Sequence, residues 1–256
     1  MDPVAVDTYD SVDLDEPILI EGLPGVGLVG KLAVDHLVEE MENTTIRRMY
    51  SEHLPPGVGI DEDGIASLPS ISVHAIEHDE QDLLVLTGES QAQTPVGQYR
   101  VAGAVIDMAE ELGVEDIVTI GGFGTGQQID EYTVVGALAQ QDEDFKHALS
   151  DAGVEFEGDR APENIVGMSG LLLGLGTRAG MRGTGLLGIT PGYYVDPGSA
   201  RAVLDVLQDV FDFTIPLETL DEQAEQVQEF LEQLQELQQQ QDPTSQQTSE
   251  DLRYFG

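Results

Sequence analysis

Ile18-Leu19-Ile20-Glu21-Gly22-Leu23-Pro24-Gly25-Val26-Gly27-Leu28-Val29-Gly30-Lys31-Leu32 decides the fold of this chain. Pro17 precedes a short apolar run, Ile18-Leu19-Ile20, of the kind that forms a buried strand. A glycine-rich turn follows. Beyond it Leu28, Leu32, Leu37 and Val38 mark the apolar side of a helix. The strand, tight turn and helix repeat further on. Leu83-Leu84-Val85-Leu86 reads as a buried strand ending at Thr87-Gly88. Thr94 and Pro95 then supply a cap and a first-turn proline, and Gly113 a stop. Between them Val101, Val105, Met108 and Leu112 recur at helical spacing, and Ile117 to Ile120 forms the next strand into Gly121-Gly122.

Such alternation requires right-handed crossovers and a mainly parallel sheet covered by helices, an α/β three-layer domain. Thr45 to Tyr50, Ile65 to Ile76 and Tyr132 to Leu138 read as further strands, and Phe145 to Leu149 as a short helix. Asp196-Pro197 opens another helix by an Asx cap followed by proline, through Ala202, Val203, Val206, Leu207 and Val210. The expected organisation is a loose acidic lead-in over 1–15, the α/β domain over 16–216, a heptad helix over 217–241, and a linker with a terminal tail over 242–256.

The glycine loops invite chemistry. Gly25, Gly27 and Gly30 spell a dinucleotide fingerprint after a strand and before a helix. Gly25, Gly30 and Lys31 also spell a P-loop, except that Leu32 replaces the hydroxyl residue that ligates magnesium. Arg47-Arg48 stands where a dinucleotide site needs an acidic strand end. A tight turn with close helix packing demands the same glycines, so structural turn and anion nest both stay open. Gly121, Gly122 and Gly124 form a second loop at a strand end, where ligands bind in such folds. His74-Ala75-Ile76-Glu77-His78 matches a metalloprotease spacing. Its surroundings read as strand, which holds the two histidines about 13 Å apart. No catalytic constellation, metal site or cofactor is expected.

Composition narrows the partners. Acidic residues number 49 and basic ones 10, for a formal charge of −39. That charge opposes compaction at low ionic strength and is screened at molar salt, where the Debye length is about 3 Å. The excess therefore describes a salt-rich solvent, and it excludes a nucleic-acid binder, which needs a basic stripe. There is no cysteine, so thiol chemistry is absent. The acidic N-terminus lacks a signal pattern, and no apolar run reaches the roughly 18 residues of a membrane span. The expected location is the cytoplasm.

Past Pro216, Leu217, Leu220, Ala224, Val227, Leu231 and Leu234 form a heptad seam, with Thr219 and Glu222 as a capping box. The seam serves either packing on its own domain or an oligomer interface. Asp242-Pro243 ends the helix, a Ser/Thr/Gln-rich linker follows, and the chain closes Leu252-Arg253-Tyr254-Phe255-Gly256. Bulky residues at the end of a polar linker point to a docking peptide.

These pieces together resemble the proteasome assembly chaperone family in its archaeal branch. The resemblance rests on Gly22 to Gly30, Gly88-Glu89-Ser90-Gln91 with the Thr94-Pro95 helix, Ile120-Gly121-Gly122, Thr190-Pro191-Gly192, and Asp196-Pro197 leading into Ala200 to Leu207. It implies a domain related in fold to nucleoside phosphorylases, without their catalytic set. It also implies homo-oligomers, and docking on the α subunits of the proteasome core particle through a hydrophobic–tyrosine–any-residue tail. Tyr254 takes the hydrophobic place, Phe255 the tyrosine place and Gly256 the last. A phosphate- or nucleotide-binding enzyme or sensor built on the glycine loops is the alternative.

Overall fold

The apolar run at Ile18 is a central strand in the computed structural model, which describes residues 3–129, 131–156 and 163–241. The strands are β1 (Val4–Thr8), β2 (Ile18–Glu21), β3 (Thr44–Ser51), β4 (Gly59–Ile60), β5 (Ala66–Ser67) and β6 (Ile71–Ile76). They continue as β7 (Leu83–Gly88), β8 (Asp116–Gly124), β9 (Val134–Leu138), β10 (Val154–Glu155) and β11 (Arg182–Thr190). The helices are α1 (Val29–Glu40), α2 (Pro95–Glu111), α3 (Glu143–Asp151), α4 (Gly167–Ala179), α5 (Pro197–Phe211) and α6 (Glu218–Gln241).

Nine strands form one mixed sheet in the order β1-β3-β6-β7-β2-β8-β11-β9-β10, while β4 and β5 make a separate hairpin. The central strands β7, β2, β8 and β11 run parallel. Antiparallel strands flank them, β6 on one side and β9 on the other. Side-chain alternation along each central strand divides the core in two. Ile18 and Ile20 join α1 and α5 on one face. Leu19 joins α2 and α4 on the other. This is the expected three-layer α/β domain. Among the described residues no helix is long and apolar enough to cross a membrane.

Local chemistry fixes the helix starts. The Thr94 hydroxyl accepts the Gly97 amide at 3.1 Å, with Pro95 in the first turn. Asp196 Oδ1 likewise accepts the Ser199 amide at 3.1 Å ahead of Pro197. Gly113 closes α2 at φ +76°, a left-handed position that favours glycine.

Four expectations need correction. Residues 4–8 are not a loose lead-in: Val4–Thr8 pairs antiparallel with β3 and extends the sheet. Gly183-Thr184-Gly185-Leu186-Leu187-Gly188, unassigned in the sequence, is the body of central strand β11. Its glycines let helices approach, since a Cβ at Gly188 would lie 2.2 Å from Ser199 Oγ. Met168 to Leu175, likewise unassigned in the sequence, belongs to α4. The capping box at Thr219 is displaced as well. The Leu217 carbonyl already accepts the Leu220 and Asp221 amides, so α6 begins at Glu218 and Thr219 lies inside it. The linker and tail over 242–256 lie outside the described residues.

Replacing Thr94 by alanine orphans the Gly97 amide and should cost about 1 kcal/mol. Thr94→Ser should recover most of it. Urea unfolding of the two variants measures the difference, and equal losses would show that the hydroxyl is not the cap.

Candidate functional site

The parallel strands end at Glu21, Gly88, Gly124 and Thr190, and the Gly22–Gly30 loop lies over those ends; Gly121, Gly122 and Gly124, expected as a second loop, are the last residues of β8 itself and pair with β11. The first loop lies across β8 and β11. Its backbone approaches theirs so closely that side chains are excluded. A Cβ at Gly30 would sit 2.3 Å from the Ile120 carbonyl oxygen, one at Gly22 2.2 Å from that of Gly30, and one at Gly122 2.2 Å from that of Val26. Gly27 (φ +62°) and Leu28 (φ +53°) turn the chain through left-handed space into α1. The Gly27 carbonyl accepts the Asp196 amide at 2.9 Å, and the Leu28 amide donates to Gly25 at 3.1 Å. An anion nest needs convergent free amides. Here Val26 and Gly27 turn carbonyls toward the junction, and the Val26 side chain rests against Gly124 and Gly192. Close packing thus accounts for Gly22, Gly27, Gly30 and Gly122, while Gly25 stays exposed and uncrowded.

Topology separates this loop from the dinucleotide arrangement. Strand β3, the next after α1, is parted from β2 by β6 and β7. Arg47, near the position where a ribose-binding carboxylate is needed, is buried and bonds the Asp10 carbonyl and Glu111. His74 sits on β6 as expected, 2.9 Å from Asn43 Oδ1. No group of three metal-ligating residues occurs among the described residues.

Two cavities flank the glycine loops. One, of about 510 Å³, lies between α1 and the β6–β7 edge, lined by Lys31, Asp35, Arg48, Ser72, Thr87 and Glu89 among others. Lys31 is held by Asp35 at 2.6 Å and Glu89 at 2.9 Å. Burial alone lowers its pKa, but those two carboxylates outweigh it and raise the value. The other cavity, of about 210 Å³, lies under α6. The heptad positions Ala224, Val227 and Leu231 line it together with Tyr132, Tyr194 and Asp196 of the same chain. Leu220 is buried in the core, whereas the Leu234 side chain lies outside the described residues. The seam therefore faces this domain for its first turns. The tail residues Leu252, Arg253, Tyr254, Phe255 and Gly256 lie outside the described residues.

Sequence reasoning missed one member of this edge. Glu21 is fully buried at the end of β2, where its carboxylate accepts the Leu23 amide at 3.0 Å and the Ser169 hydroxyl at 2.8 Å. Gln91 bridges the same loops, donating to the Pro24 carbonyl and accepting the Met168 amide. A lone glutamate after an apolar run carries no signal of burial. Burial pushes the Glu21 carboxyl up from 4.5 to about 7, against the two bonds that favour its ionised form.

Two outcomes follow from this geometry. Gly30→Ala should destabilise the fold by more than about 2 kcal/mol because backbone must move, while Gly25→Ala should be near neutral. An equal response at both positions would contradict the close-packing account. The folded chain binds the Glu21 proton more tightly than the unfolded chain does. That group's contribution to stability is therefore greatest below about pH 4.5 and falls as pH rises to about 7, by roughly 3 kcal/mol. Chemical denaturation across this window should show Glu21→Gln gaining on the wild type as pH rises, and parallel curves would refute it.

Comparison with known proteins agrees with the fold. The family model described as PAC2 family matches residues 19–235. An uncharacterised protein of Methanocaldococcus jannaschii is 33% identical over 250 residues, covering 96% of this chain and 95% of that one. The crystal structure of Pyrococcus furiosus PbaB, an archaeal proteasome activator, superposes with a TM-score of 0.85 at 33% identity, over 92% of this chain and all of that one. P. furiosus PbaA, an archaeal homolog of proteasome-assembly chaperone, superposes at 0.74 with 27% identity, over 93% and 94% of the two chains. With most of its length matched, from β2 into α6, the chain belongs to the PAC2 family.

Proposed function

We propose that this chain is a non-enzymatic adaptor of the proteasome core particle, an assembly chaperone or activator working in the cytoplasm of a salt-rich cell. The observation that carries this reading is the near-complete structural likeness to an archaeal proteasome activator, at 33% identity. The terminal sequence supports it. Leu252, Arg253, Tyr254, Phe255 and Gly256 follow a polar linker after α6. Two aromatic rings supply the buried area of a docking peptide. One short tail binds weakly. A homo-oligomer presenting several tails gains through effective concentration.

The test uses purified proteasome core particle at molar potassium chloride, with the full chain and a version ending at Asp251. Binding should be lost with the last five residues, and undiminished binding would sink the tail assignment. Phe255→Tyr should tighten binding by about one hydrogen bond, roughly 0.5–1.5 kcal/mol.

A further inference from the structure

The cavity of about 510 Å³ beside α1 holds polar groups that the fold leaves unused. Arg48, Ser72 and Thr87 stand directly opposite one another on β3, β6 and β7, so their side chains share one face of the sheet. Helix α1 packs on β2, β7 and β8, and Arg48 and Ser72 line the open space beside it. The carboxylates here are already engaged. Asp35 accepts from Lys31 at 2.6 Å and from the Thr87 hydroxyl at 2.7 Å, and Glu89 accepts from Lys31 at 2.9 Å. Arg48 is different. Its guanidinium carbon lies 5.3 Å over the Tyr9 ring, its Nε has no hydrogen-bond partner, and no carboxylate pairs with it among the described residues. Stacking occupies the face of a guanidinium and leaves the N–H groups in its plane free. Ser70, Ser72 and Ser90, all half-buried, line the same cavity, and among the described residues their hydroxyls meet no hydrogen-bond partner.

With 49 acidic residues against 10 basic ones, this chain has carboxylates to spare, and Lys31, Arg47, Arg100, Arg182 and Arg201 each hold at least one. A half-buried guanidinium left without one keeps its donors for another acceptor. Three hydroxyls in the same cavity add donors that carry no charge. A carboxylate has two oxygens to satisfy, whereas a phosphoryl group presents three and takes a guanidinium in bidentate fashion. We infer that the cavity beside α1 binds the phosphoryl group of a small phosphorylated molecule. Arg48 pairs with two of its oxygens, and the hydroxyl of Ser72, its neighbour across the ladder, donates to the third. Pro55, Leu68 and Pro69, which also line the cavity, offer an apolar surface to the organic body. The site is open to solvent, so no element has to move. The formal charge of −39 opposes an anion at low ionic strength, but at molar salt repulsion beyond about 3 Å is screened while direct contacts remain.

The probes are inorganic phosphate and phenyl phosphate, titrated into the full chain in molar potassium chloride at constant ionic strength and followed by amide chemical shifts. Saturable shifts centred on Ser72, Gly88 and Ser90 are expected with both, and acetate should not match them. Arg48→Gln should weaken phosphate binding about tenfold or more, and Ser72→Ala roughly threefold. Arg178→Gln removes an exposed charge of α4 and should leave binding unchanged. The inference is overturned if either probe gives no saturable shifts at the cavity, or if acetate binds as well as phosphate. It is overturned equally by Arg178→Gln matching Arg48→Gln in effect, or by undiminished affinity in a folded Arg48→Gln or Ser72→Ala chain.

Discussion

Everything at the carboxyl edge depends on one contact, the approach of the Gly22–Gly30 segment to the backbone of β8. The Ile120 carbonyl lies where a side chain at Gly30 would have to go, and Gly122 takes the Val26 carbonyl in the same way. That proximity sets α1 directly on the sheet and lets the Gly27 carbonyl receive the Asp196 amide. The start of α5 is thereby tied to the start of α1. Backbone in contact with backbone cannot be replaced by repacking of side chains. Three separate loops are therefore held by the absence of Cβ atoms more than by any attractive pair.

The same constraint decides what was legible in the sequence. Strands β2 and β7 are buried on both faces and begin with aliphatic runs, Ile18 to Ile20 and Leu83 to Leu86, as parallel strands require. Helices α2 and α5 carry caps and prolines that act within one turn, so their starts were visible without any partner. Strand β11 was invisible because its glycines at 183, 185 and 188 lower strand propensity. They exist to admit Ile165, Leu173 of α4 and Ser199 of α5, side chains that only the folded packing brings against the strand. Strand β1 was missed for a related reason. Its residues are half-buried or exposed at a sheet edge, and only pairing with β3 makes them a strand. Of the candidate site, the glycines were found, but the sequence left a tight packing joint and an anion nest both open, since the two use the same letters. Glu21 and the Tyr132–Asp196 wall left no signal, because residues distant in sequence give them their surroundings.

The scarce basic residues show how so acidic a chain stays together. Lys31 joins α1 to the loop after β7 through Glu89, Arg47 joins β3 to α2 through Glu111, and Arg201 joins α5 to α6 through Asp221. Arg182 lies against Asp116 of the neighbouring strand. Each pair crosses between elements at a part-exposed site, where one ion pair contributes about 0–1 kcal/mol. Their value lies in where they are. Each relieves carboxylate crowding at a joint, and the remaining repulsion is left to the salt of the solvent.

Helix α6 marks the transition from fold to reach. Leu220 is sealed in the core, Ala224, Val227 and Leu231 are half-buried against the body, and Phe230 is exposed. Contact thus thins out along the helix while glutamine and glutamate take over its composition. A segment so built keeps its helical form from propensity in its outer turns, and its attachment from the inner ones.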